Sequence, residues 1–139
     1  MKKLLFAVLL LVTMILAACQ DKEVTEAPAE PDLILHLSKS EGKDYSLYKK
    51  IEDKETVTMV MDLLSHVDWE NAEVSMSRQP DYKIRTINRD STVSYEQATY
   101  AIWISPQKDR LEAVIEGQSK YGKVTKENTK KLLPILESP

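Results

Sequence analysis

The chain has 139 residues, 42% of them hydrophobic, and a formal net charge of −3. That size bounds it to one small core, and 19 basic against 22 acidic residues give no strong basic field of the kind that gathers nucleic acid. A lone cysteine, Cys19, excludes an intrachain disulfide.

Lys2 and Lys3 precede an apolar run from Leu4 to Ile15 that only Thr13 interrupts. The run leads through Leu16, Ala17 and Ala18 into Cys19. This is the charged, apolar and small-residue order of a signal peptide, and the run is short of the about 20 residues that a membrane span needs. The tetrad Leu16-Ala17-Ala18-Cys19 resembles the lipobox of bacterial lipoproteins. That resemblance implies a signal peptide over 1–18, cleavage between Ala18 and Cys19, and acyl chains such as palmitate on the Cys19 sulfur. It also implies a lipid-anchored protein on the extracytoplasmic face of the cell membrane. Two acyl chains suffice for stable attachment, since each buried methylene contributes about 0.8 kcal/mol. A thioether also removes the oxidation hazard of a free exported thiol. The competing readings are an uncleaved anchor helix and cleavage at another alanine.

Residues 20–32, QDKEVTEAPAEPD, hold Pro28, Pro31 and five acidic residues. So polar a stretch cannot bury enough surface to fold, and with Cys19 it reads as a disordered acidic tether over 19–32. A flexible chain of that length spans roughly 20 Å. Without Lys2 and Lys3 the chain carries about −5, of which the tether holds about −4, so the remaining domain, 33–139, is close to neutral.

Within the domain, Leu33 to Ser38 and Tyr45 to Ile51 read as strands joined by a turn at Gly42, a hairpin. Asp53 to Val67 reads as a helix capped by Asp53, with Val57, Val60, Met61 and Leu64 as its buried stripe. Trp69 to Pro80 reads as a loop. Tyr82, Ile84 and Thr86 then alternate with Lys83, Arg85 and Ile87, and after a loop from Asn88 to Gln97 a second alternation runs over Thr99 to Ser105. A turn at Pro106 to Asp109 leads into Leu111 to Glu116. Gln118 to Tyr121 reads as a short edge strand. Thr125 to Leu136 closes the chain as a helix that Pro134 should kink or shorten. The expected fold class is α+β: an antiparallel sheet of four to six strands with two helices on one face.

Pro80-Asp81-Tyr82-Lys83-Ile84, Tyr100-Ala101-Ile102-Trp103-Ile104, the hairpin into Tyr121 and the closing helix together resemble the YhfM-like lipoproteins of Bacillus-type bacteria, over roughly 33–137. The resemblance implies the same fold and location, and a Gram-positive host with the protein beneath the cell wall. It implies no catalytic or ligand residue.

The chain shows no motif for catalysis. There is no GxSxG elbow, and Gly42, Gly117 and Gly122 are too scattered to cradle a phosphate. Asp68, Glu70 and Glu73 read as solvated loop acids. His66 follows Asp62 by four residues, a spacing that can hold a metal but that lacks a third ligand, and His36 reads as a partly exposed strand residue. No metal or cofactor is expected. The remaining feature is a surface: Lys83, Arg85 and Arg89 alternate along one strand, with Trp103 facing the same way on the next. Cations beside an aromatic on a flat sheet can bind an envelope protein, peptide or glycan, although such a face is often simply solvated. The leading expectation is a non-enzymatic binding module at the cell envelope. An envelope enzyme of wall-hydrolase type, with His36 or His66 beside two acids, is the alternative. So is an inhibitor that presents Trp69–Pro80 or Asn88–Gln97 to an exported enzyme.

Overall fold

The computed structural model describes residues 29–139. The expected signal peptide, Cys19 and most of the expected tether lie outside the described residues. Among those described, no helix is long and apolar enough to cross a membrane.

The described residues form seven strands and two helices, in the order β1 (Leu33–Glu41), β2 (Asp44–Ile51), α1 (Lys54–Ser65), β3 (Asp68–Asn71), β4 (Tyr82–Asn88), β5 (Thr99–Ile104), β6 (Leu111–Ile115), β7 (Lys120–Val124) and α2 (Lys126–Glu137). The strands form one antiparallel sheet in the order β2-β1-β4-β5-β6-β7-β3. The fold is α+β as expected, and the sheet is larger than four to six strands. The additional strand is β3. It buries neither Asp68, Glu70 nor Asn71, and only Trp69 turns inward. Four residues with one inward side chain leave too little alternation to mark a strand. Because β3 pairs with β7, the segment expected to form an edge lies inside the sheet and runs to Val124.

Alternation divides the sheet into two faces. Leu35, Leu37, Tyr82, Ile84, Ile102, Leu111, Ala113 and Val124 point to one side. There they meet Val57, Val60, Leu63 and Leu64 of α1 and Leu132 and Leu136 of α2, so both helices close one face. The buried stripe of α1 includes Leu63, whereas Met61 is only partly buried against the core. Asp53 caps α1: its carboxylate accepts hydrogen bonds from the Thr56 N–H at 2.9 Å and the Thr56 hydroxyl at 2.7 Å. These bonds favour the ionised form and lower the Asp53 pKa.

Helix α2 is neither halted nor shortened by Pro134 and continues to Glu137. Pro134 and Lys130, four residues earlier, are both exposed, so the Lys130 carbonyl that loses its helical donor stands on the wet side of the helix. At Gly122 a Cβ would stand 2.4 Å from Val67 Cγ1 and 3.1 Å from the Asp68 carbonyl oxygen, so β7 accepts β3 this closely only with glycine there.

A bulge in β2 ties the first hairpin to α2. Leu37 pairs with Lys49 and Ser38 with Leu47, which leaves Tyr48 as the extra residue. Tyr48 and Lys49 consequently both reach the helical side. The Tyr48 hydroxyl donates to the Leu136 carbonyl, and Lys49 Nζ donates to the Ile135 carbonyl at 3.3 Å and the Ser138 hydroxyl at 2.8 Å. These bonds serve the C-terminal carbonyls of a helix with no basic residue in its last turn.

Candidate functional site

Among the described residues the second face of the sheet carries no helix, and the cross-strand register fixes which side chains share it. Lys50 of β2, His36 of β1, Arg85 of β4 and Thr99 of β5 are successive partners. One step along the strands, Leu47, Ser38, Lys83 and Ala101 form the next row. Directly opposed side chains on one face lie about 5 Å apart at Cβ, so the first row is a short cationic line beside an imidazole. Lys50 and Arg85 are exposed and His36 is half-buried. Leu47, at 48% the most exposed large hydrophobic among the described residues, borders the line.

Of the residues expected to form a binding face, Lys83 and Arg85 do share it. Arg85 donates to Gln97 Oε1 at 3.1 Å and makes no ion pair among the described residues. Lys83 is engaged: its ammonium lies 2.6 Å from Glu116 and 4.6 Å from the centre of the Tyr45 ring. Arg89 does not join them. It lies beyond the end of β4 and grips Asp32 through two bonds of 3.0 and 3.1 Å, with Glu52 at 3.9 Å. That pairing raises the Arg89 pKa further and staples the chain entering β1.

Trp103 has the expected orientation but not the expected exposure. It shares the face of Ala101 and is 8% exposed. The cause is topological. The connection from β3 to β4 starts at the far edge of the sheet and must cross β7, β6 and β5. It does so over the helix-free face as an irregular strap, residues 72–81. Trp103 Nε1 donates to the Arg78 carbonyl at 2.9 Å. The Arg78 guanidinium bonds Asp81 at 2.7 Å and the Ile104 carbonyl at 2.6 Å, and Asp81 accepts from the Ile104 N–H at 2.7 Å. The hydrogen bond from Arg78 to Asp81 raises the arginine's pKa. Trp103 therefore anchors the strap rather than offering its ring to a partner on an open face.

The histidines and acids do not converge. His66 ends α1, with Nδ1 3.6 Å from an Asp62 carboxylate oxygen and 2.8 Å from the Asp62 carbonyl, while His36 lies on the opposite face of the sheet. No group of three or more His, Cys, Asp or Glu residues among those described could hold a metal ion. The residues that sequence reasoning missed are Lys50 and His36 as companions of Arg85. Only the register of β1 between β2 and β4 reveals them, because the three are far apart in sequence.

Fold and face together define a two-layer α+β domain with one helix-packed side and one side divided between a strap and an open cationic row. The family described as YhfM protein matches residues 20–139, and the chain belongs to that family. No curated protein and no solved structure matches it.

Proposed function

We propose that the chain is an exported, lipid-anchored bacterial protein whose domain acts as a non-enzymatic binding module at the extracytoplasmic face of the cell membrane, taking an anionic partner on the row Lys50–His36–Arg85. One observation carries the module reading. Of the two sheet faces, one is sealed by both helices, while the other presents Lys50, His36 and Arg85 on three adjacent strands, and the acid that follows Thr99 there, Glu116, is held by Lys83. The anchor is supported by the Leu16-Ala17-Ala18-Cys19 tetrad behind its apolar run.

An exposed basic row of this kind steers and orients an anionic partner more than it generates tight affinity. A two-chain anchor offsets that weakness by holding the domain at high effective concentration near envelope components. Pull-down from envelope extracts with the wild-type chain and with Arg85→Ala/Lys50→Ala tests the face. The expected result is recovery of a partner by the wild type that the variant loses; equal recovery by both removes the row from the proposal. Mass spectrometry of the membrane fraction tests the anchor, which requires a diacylated N-terminal Cys19 and loss of residues 1–18.

A further inference from the structure

The strap encloses a second place on the same face, separate from the cationic row. Between it and the sheet lies a cavity of about 340 Å³, lined by Met76, Arg78, Trp103, Arg110, Glu112 and Lys123 among others. That volume is at the small end of the range for small-molecule pockets. Trp103 and Glu112 are cross-strand partners and Lys123 follows Glu112 in register, so these three form the floor. Met76 belongs to the strap and contributes the roof. The Trp103 N–H is held by the Arg78 carbonyl, so the indole contributes apolar surface rather than a free donor.

The charges around the cavity balance. Arg78 is paired with Asp81. Lys123 stands between Glu112 and Asp68 in the cross-strand register. Arg110 has Asp109 at 3.8 Å and shares a neighbouring hollow with Asp68, Glu70, Lys123 and Lys126. The cavity therefore favours no net charge of either sign. Balance is not pairing, however. Among the described residues Glu112 and Lys123 make no ion pair, and the one made by Arg110 is the loose contact with Asp109. Asp109 is also engaged elsewhere: it accepts a hydrogen bond from the Ser105 hydroxyl at 2.9 Å and lies 3.7 Å from Lys126. A guanidinium and a carboxylate two residues apart, about 7 Å in extended chain, thus both line the cavity without meeting.

We infer that the cavity beneath the strap is a binding site for a small zwitterion with an apolar body, of the class of an α-amino acid with an aromatic side chain. Its ammonium meets Glu112, its carboxylate meets Arg110, and its body lies between Trp103 and Met76. A ligand of single charge serves one of the two groups and takes the other out of water without a partner, which costs affinity; a zwitterion serves both with charge-assisted hydrogen bonds. The strap is suited to admit it. Among the described residues no hydrogen bond fixes Glu73 to Ser77, whereas Ala72 and Arg78 on either side are both held. The roof of the cavity can therefore adjust between two fixed points.

The chain has two tryptophans, and Trp69 lies on the helical side, where it donates to the Leu64 carbonyl at 3.0 Å. Full chain labelled with 5-fluorotryptophan reads both rings by fluorine NMR, and Trp69→Phe assigns the two signals. The probes, titrated separately at neutral pH, are phenylalanine, hydrocinnamate, which lacks the ammonium, and phenethylamine, which lacks the carboxylate. The expected result is a saturable shift of the Trp103 signal with phenylalanine, a stationary Trp69 signal, and a midpoint about tenfold lower for phenylalanine than for either single-charge analogue. Glu112→Gln should raise the phenylalanine midpoint to that of hydrocinnamate, and Arg110→Gln should raise it to that of phenethylamine. Glu112 is half-buried and Arg110 exposed, and an unchanged Trp69 signal reports that each variant keeps the fold. The comparison of the three probes on the wild type stands without the variants. The inference is overturned by a Trp103 signal that stays still, by both signals moving alike, by a single-charge analogue that binds as well as phenylalanine, or by a preference that survives both substitutions.

Discussion

The two halves of the helix-free sheet face share one strand geometry and differ in what crosses them. Over β2, β1 and β4 none of the described connections crosses, and Lys50, His36 and Arg85 meet solvent. Over β5, β6 and β7 the strap crosses, and Trp103 becomes an internal residue although it points the same way as Arg85. Side-chain alternation assigns a residue to a face, while exposure depends on the path of a connection that alternation does not describe. An aromatic residue suits the covered half because it supplies a large apolar area and a single donor that the strap's carbonyl accepts.

The sharpest way to break this contrast is Trp103→Ala. It removes most of a buried indole and the bond to Arg78, and should cost about 3 kcal/mol in urea unfolding. A loss near zero would show that the strap does not depend on that ring. Next comes Asp81→Ala, which leaves the Ile104 N–H and the Arg78 guanidinium without their carboxylate. A loss of about 1–3 kcal/mol is expected in the same assay. Acid titration follows. Asp109 is lowered chiefly by the Ser105 hydroxyl, Asp53 and Asp90 by Thr56 and Thr92, and Glu127 by Lys131. The unfolded chain then takes up protons more readily than the folded one. The stability these groups supply is present above the ordinary carboxylate range near about 4, and is lost as pH falls through their lower folded values. Thermal melts from neutral to acid pH should show that decline, with Asp109→Asn shallower than wild type and Arg85→Ala unchanged in slope. The smallest effect belongs to the open half: Arg85→Ala and Lys50→Ala should each shift unfolding by less than about 0.5 kcal/mol. A larger loss would mean that the row is a structural element rather than a free surface.

Much of the architecture is legible in the amino-acid order because burial leaves a period. The alternations Tyr82-Ile84-Thr86 and Tyr100-Ile102-Ile104 become β4 and β5, and Val57, Val60 and Leu64 do line the core-facing side of α1. Both helix starts follow from their caps: Asp53 and Thr125 each accept a hydrogen bond from the N–H three residues on. What escapes is what depends on a distant partner. Strand β3 is held by pairing with β7 rather than by its own composition. Pro134 is tolerated because of the side of α2 on which it falls. Arg89, in phase with Lys83 and Arg85 on paper, leaves the row because the strand ends first and Asp32 takes its guanidinium. The grouping of Lys50, His36 and Arg85 needs a three-strand register, and the cavity needs the strap, so neither has a local signature.

The extra residue in β2 has a consequence for the order in which the molecule can assemble. Tyr48 and Lys49 complete their bonds only with Leu136, Ile135 and Ser138, more than eighty residues later. The first hairpin also waits for the last helix to supply Leu132 and Leu136 to its apolar side. A polypeptide made amino end first cannot complete the bonds of β2 until Ile135, Leu136 and Ser138 have been added. Such long-range closure slows folding.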